Sequence, residues 1–209
     1  LILSSGCSLA IENTMIYHSP EVLEKLQSLG IPVLVETSSY EEEPFGRMEW
    51  IKLYAALLNK EDLAEKLFNE KMASLAGVLE QEPSGKTVAF FYITSKDAVN
   101  VRKSGDYIAK SIGIAGGEYI SFDESGDESA QSTVNIQMEA FYEKACNADV
   151  IIYNSIVDGE IDTIDGLIAL SPLLADFKAV REGNVWCLTK NFYQESFELG
   201  DLVLDVNTV

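Results

Sequence analysis

The side chains best suited to chemistry are few. Arg102 and Lys103 stand together in the segment after an apolar run that ends at Thr94, and Asp106 follows within one helical turn. A guanidinium can hold a carboxylate or similar anion through two parallel hydrogen bonds, so Arg102 is a candidate anion ligand. Asp106 is placed either to pair with Arg102 or to cap a following helix. Tyr40, Tyr153 and Tyr193 follow the ends of predicted strands. Tyrosines there can line a ligand cleft or ligate haem iron, with Tyr153 the one best suited to core packing. His18 is the only histidine. One imidazole offers no metal-site spacing, and it rules out a chain of several His ligands. It also leaves little room for a Ser-His-Asp arrangement. The run Gly113-Ile114-Ala115-Gly116-Gly117 follows a helix and does not match the dinucleotide-binding spacing, and no phosphate-cradling GxxxxGK[ST] occurs. The residues therefore point to binding and not to catalysis.

The elements that must position these groups alternate between strand and helix. Leu1 to Leu3 read as a first strand, followed by a long loop through Ile11, Tyr17 and His18. Ser19 and Pro20 open a helix whose stripe is Val22, Leu23, Leu26 and Leu29, and Gly30 closes it. Pro32 to Val35 is a second strand, so the first two strands form a parallel pair. Residues 37–44 are loop and include Ser38 and Tyr40. A helical region spans about 46–81, read as two helices with an N-cap at Asn59 and Asp62. Strands at Val88–Thr94, Val150–Tyr153 and Asn184–Leu188 alternate with helices at Asp106–Ile114, Met138–Cys146, Ile161–Leu170, Leu173–Val180 and Ser196–Val209. The segment Asp123–Ser132 is polar and reads as loop. The pattern predicts an α/β protein with mostly parallel sheets. Ligands of such sheets bind beyond the carboxyl ends of strands, which nominates residues 4–9, 37–42, 95–105, 154–159 and 189–196. Trp186, inside a strand, is expected in the core.

Composition narrows the class. The 209 residues are 47% hydrophobic and 23% charged, with a net charge of -19. Such acidity is unsuited to nucleic acid, which needs clustered Lys and Arg against phosphate. No apolar run reaches the 18 residues of a membrane span. Cys7, Cys146 and Cys187 are widely spaced and form no CxxC motif, so buried thiols are expected and not a disulfide framework.

Several segments then resemble, in order, the family of ABC-importer substrate-binding proteins for iron complexes. They are Pro32–Glu36, Pro44–Lys52, Lys60–Phe68, Ile114–Gly117, Met138–Ala140, Asn147–Tyr153 and Phe177–Trp186. The resemblance runs over nearly the whole chain and is specific for the family, not for its ligand. It implies two Rossmann-like lobes joined by a long helix, with ligand in the cleft between them. Residues 1–46 are then a remnant of the N-terminal lobe, 47–83 the connecting helical segment and 84–209 the C-terminal lobe. The start of the first lobe is expected upstream of Leu1, and a partial lobe invites association with another chain. The resemblance implies an extracytoplasmic protein, periplasmic or lipid-anchored. It captures a ferric siderophore, haem or cobalamin, without an intrinsic cofactor, and delivers it to an ABC permease and its ATPase. Arg102, Lys103, Tyr40, Tyr193, Ser38 and Arg47 are the candidate ligand-binding residues. Glu139 matches the carboxylate with which the second lobe docks on the permease, although a helix dipole alone favours an acid there. The alternative is an α/β metalloprotein or oxidoreductase domain with no transport role.

Overall fold

A computed structural model describes residues 2, 4–123, 133–157, 159, 161–188 and 190–209. The expected strand at Leu1–Leu3 and most of the expected loop at Asp123–Ser132 lie outside the described residues. Two compact units emerge, Leu1–Glu41 and Glu42–Val209.

In the first unit, strands β1 (Ala10–Asn13) and β2 (Val33–Glu36) pair in parallel, Ala10 opposite Val33. Helix α1 (Pro20–Ser28) crosses between them. Pro20 opens it, because a missing N–H costs nothing in the first turn. Gly30 ends it at φ 75°, a left-handed conformation that glycine adopts without a Cβ clash. The parallel pair is as expected, but its first strand lies at Ala10–Asn13, where a loop was read. The segment Ala10-Ile11-Glu12-Asn13 places two apolar residues before two polar ones, so it lacks the period-two signature of a half-exposed strand, although its burial alternates in the structure, with Ala10 and Glu12 half-buried and Ile11 and Asn13 exposed.

The second unit begins with three helices, α2 (Pro44–Glu49), α3 (Ile51–Leu57) and α4 (Glu61–Leu79), not two. Asn59 does not cap α4. It takes φ 53° and turns the chain after α3, while the Lys60 amide donates back to the Ala55 carbonyl at 2.9 Å. Asparagine tolerates this left-handed geometry better than most residues.

A six-stranded sheet follows. Its strands are β3 (Thr87–Ile93), β4 (Val99–Arg102), β5 (Glu118–Tyr119), β6 (Thr133–Ile136), β7 (Val150–Tyr153) and β8 (Val185–Cys187). The order is β6-β4-β3-β7-β8, with β5 beside the start of β3. Strand β3 is parallel to β5 and β7, and β7 to β8, whereas β3–β4 and β4–β6 are antiparallel. The sheet is thus mostly parallel, as the alternation predicts, with an antiparallel extension at one side. Segment 95–105 is not one loop. It holds a tight turn, with Asp97 at φ 59°, and then β4.

The core divides between the two sheet faces, as the period of two requires. Ala89, Phe91, Ile93, Val99, Val101, Ile151 and Tyr153 meet Phe141 of helix α6 (Met138–Ala145), Leu167 of α7 (Ile164–Leu170) and Ala179 of α8 (Lys178–Glu182). Val88, Phe90, Val150 and Ile152 meet Met48 of α2, Ile108 of α5 (Tyr107–Ile114) and Leu199 of α9 (Leu199–Thr208). The expected helix Leu173–Val180 is a 3-10 turn, Pro172–Asp176, followed by α8, and the expected C-terminal helix opens with a 3-10 turn at Ser196–Glu198. Trp186 is not core: it is 52% exposed, on a strand that has a neighbour on one side only. The cysteines are free, but Cys187 is exposed and Cys7 and Cys146 are half-buried, so the expectation of three buried thiols fails.

Candidate functional site

On β4, Val99 and Val101 enter the first core, so alternation turns Arg102 to the opposite face. The strand ends there, and Asp106 opens α5 four residues later. Its carboxylate accepts the Ile108 amide at 2.9 Å and the Arg102 Nη1 at 3.3 Å. Both roles foreseen for Asp106 are therefore filled at once. The Arg102 side chain is 17% exposed and that of Asp106 only 3%.

Arg102 is held from three sides. Its Nη2 donates to the Tyr193 hydroxyl at 2.7 Å, and its backbone carbonyl accepts from the Tyr119 hydroxyl at 2.6 Å. Asn154, directly after β7, donates its Nδ2 to the same Tyr193 hydroxyl at 2.8 Å. Tyr193 lies in a 3-10 turn, Phe192–Gln194, between β8 and α9. Arg47 of α2 places its guanidinium carbon 3.8 Å from the centre of the Tyr107 ring, a cation–π contact. Six segments of the chain thus converge on one polar cluster.

Its electrostatics follow from burial. Burial pushes the Asp106 carboxyl above the ordinary carboxylate range, against the pull of Arg102, the Ile108 amide and Arg47. Burial also opposes the charge of Arg102, but Asp106 and Tyr193 outweigh it, and the net shift is upward. The phenols of Tyr107 and Tyr119 are raised, chiefly by burial. Arg102 and Arg47 both act on the buried Asp106 carboxyl, and the Arg102 guanidinium is of the kind that can hold an anion through parallel hydrogen bonds.

Of the candidates read from sequence, Arg102, Tyr193 and Arg47 are brought together. Lys103 is not. It lines a separate concavity with Asp123, Glu143 and Lys144, where hydrogen bonds from Ser104 lower the Asp123 carboxyl against the effect of burial and Lys103 adds a smaller contribution. Ser38 and Tyr40 belong to the first unit. The Ser38 amide donates to Glu36 Oε1 at 2.6 Å, and Tyr40 is 52% exposed. Glu139 is exposed in the first turn of α6. Tyr153 is core: it is 2% exposed, with its ring 5.4 Å from that of Phe91. His18 is exposed at the end of a 3-10 turn, Thr14–His18. Among the described residues no group of three His, Cys, Asp or Glu side chains is placed to hold a metal ion.

Asn154 is not among the individual candidates, but it opens the nominated segment 154–159, immediately after a continuous apolar strand.

A groove of about 510 Å³ lies elsewhere, along α9. Its floor is apolar, with Val88, Val150, Ile152 and Trp186, but Glu195, Glu198, Asp201 and Asp205 also line it. Lys71 pairs with Glu198 and Asp201 and Lys86 also lines the groove, but Glu195 and Asp205 remain, so charge favours the arginine cluster for an anionic ligand.

Comparison with known proteins agrees with the fold. Residues 11–191 match the periplasmic binding protein family. An uncharacterised lipoprotein of Methanocaldococcus jannaschii is 29% identical over 197 residues, which are 92% of this chain and 45% of that protein. The chain thus spans less than half the length of this relative. Among solved structures, a periplasmic haem-binding protein of Vibrio cholerae superposes with a TM-score of 0.77 at 19% identity, over 98% of this chain and 78% of the other. A protein of an Fe3+-hydroxamate ABC transport system from Saccharomonospora viridis gives 0.71 at 20% identity, over 99% and 70%. The periplasmic vitamin B12-binding protein of Vibrio cholerae gives 0.61 at 20%, over 99% and 75%. With a family match that covers most of its length, this chain belongs to the periplasmic binding protein family.

Proposed function

We propose that the chain is part of the extracytoplasmic substrate-binding component of an ABC importer. Its cargo is a ferric siderophore or a related iron or tetrapyrrole complex, which it delivers to a membrane permease and its ATPase. The observation that carries this is the Arg102–Asp106–Tyr193–Asn154 cluster with Arg47 beside it, in a member of the periplasmic binding protein family. The structurally similar proteins named for haem, vitamin B12 and Fe3+-hydroxamate support the cargo class, and the lipoprotein relative supports a location outside the cytoplasm. The activity is binding, with no chemical step. Arg102, Arg47 and Tyr193 are the proposed ligand contacts of the second unit. Glu139 is proposed as a docking carboxylate for basic residues of the permease.

The test is calorimetric titration of the protein with a ferric siderophore, haem and cobalamin separately. One class is expected to bind. Arg102→Gln is expected to weaken that binding about tenfold or more, the value of a charge-assisted hydrogen bond of about 1.5–3 kcal/mol. Binding of none of the three, or full affinity in Arg102→Gln, would refute the reading. Glu139→Gln should leave ligand affinity intact and reduce ligand-stimulated ATPase activity of the assembled transporter.

A further inference from the structure

The Asn154 carboxamide is 1% exposed, and its Oδ1 meets no donor among the described residues. A buried acceptor without a donor has lost its hydration and gained nothing in return. The deficit does not disappear if the amide is turned over. Oδ1 would then accept from the Tyr193 hydroxyl, and Nδ2 would lose its acceptor. In the orientation observed, Tyr193 accepts from both Arg102 and Asn154, which fills both lone pairs of its oxygen. Its own proton has no acceptor assigned among the described residues. Beside a guanidinium, the cluster therefore offers one unmatched donor and one unmatched acceptor, at two adjacent residues.

We infer that Asn154 is a specificity-determining residue: the cluster takes an oxyanion that carries a neighbouring hydroxyl, as in a hydroxycarboxylate. The oxyanion accepts from Arg102 and the Tyr193 hydroxyl, and the ligand hydroxyl donates to Asn154 Oδ1. This rests on the anion-binding reading given above and deepens it. It favours a chelator with hydroxycarboxylate arms over a tetrapyrrole, whose carboxylates carry no adjacent donor. A site built around such an acceptor rejects an analogue that lacks the donor, because the buried oxygen is left unpaired.

Citrate and tricarballylate make the test, since they share three carboxylates and differ in one hydroxyl. In calorimetric titrations the wild-type protein should bind citrate about tenfold or more tighter than tricarballylate. Asn154→Leu should abolish the preference by weakening citrate alone, whereas Arg102→Gln should weaken both. Where Asn154→Leu lacks a cooperative melting transition, Asn154→Ala serves in its place. Equal wild-type binding of the two probes overturns this inference and leaves the anion reading standing. Persistence of the preference in the Asn154 variant overturns it as well. Binding of neither probe by wild type overturns this inference as well, while the anion reading stands or falls on the titrations with the iron complexes.

Discussion

Asp106 is the residue whose loss should be felt most at the cluster. It is 3% exposed and has two jobs, capping α5 through the Ile108 amide and neutralising Arg102. Loss of an N-cap acceptor costs about 1 kcal/mol. Stranding a buried charge costs about 3–5 kcal/mol when burial is complete. Arg102 keeps Tyr193 as a partner and is 17% exposed, so about 2–3 kcal/mol is a fairer figure here. Asp106→Ala should therefore lose about 3–4 kcal/mol. Asp106→Asn keeps an acceptor for the cap and should lose about 2–3 kcal/mol. The reverse variant, Arg102→Gln, strands a carboxyl whose proton affinity burial has already raised above 3.8. A carboxyl with a raised folded value binds protons more tightly in the native state. Stability of Arg102→Gln should then rise as pH falls through that folded value towards 3.8. Urea denaturation followed by circular dichroism at neutral and mildly acidic pH measures all three variants. Wild-type stability in Asp106→Asn, or a deficit in Arg102→Gln that deepens on acidification, would refute the argument.

Asp149 should behave with the opposite sign. Lys178, then the Thr87 amide and hydroxyl, hold its carboxyl down to about 2, so its contribution is complete above 3.8 and is lost as pH falls through about 2. The full shift corresponds to about 2.4 kcal/mol, but the side chain is 29% exposed and screened, and Asp149→Asn should cost about 1 kcal/mol at neutral pH and nothing near pH 2. Phe141 is fully buried, with ring centroids 4.4 Å from Phe91 and 5.5 Å from Phe177, so Phe141→Ala should lose about 3–5 kcal/mol in the same denaturation assay. A Cβ on Gly200 would come within 3.1 Å of Lys71 Cδ and 3.2 Å of Leu75 Cδ1, where α9 crosses α4, so Gly200→Val should cost about 1–3 kcal/mol by melting temperature.

How far these features could be read from sequence depended on how each strand is buried. Strands β3 and β7 are covered on both faces and spell continuous apolar runs, so both were legible. Strands β4 and β6 escaped notice because each is only four residues long and half polar: Asn100 and Arg102 in one, Thr133 and Asn135 in the other. In the sheet those polar residues are matched to each other, Asn100 Nδ2 donating to Asn135 Oδ1 at 2.7 Å, a pairing visible only once the register is known. Trp186 misled for the opposite reason. Its neighbours spell a strand, but nothing in the local sequence says that β8 ends the sheet.

The same limit explains the candidate site. Arg102 and Asp106 were legible as a pair because they are four residues apart and helical geometry can join them. Arg47, Asn154 and Tyr193 come from α2, the end of β7 and the turn before α9, and only the completed sheet collects them. That dependence has a functional consequence. Asp106 is fixed by the start of α5, Asn154 by a backbone bond from its amide to the Phe91 carbonyl at 2.8 Å, and Arg102 by the end of β4. Each anchor belongs to the buried framework, so the donors that would meet an anion are ordered before it arrives. Little conformational entropy is then spent at binding, which is how a few polar contacts can suffice for tight capture. Variants of these residues should consequently alter stability and affinity together, and a binding defect in this cluster is informative only where the variant keeps a cooperative unfolding transition.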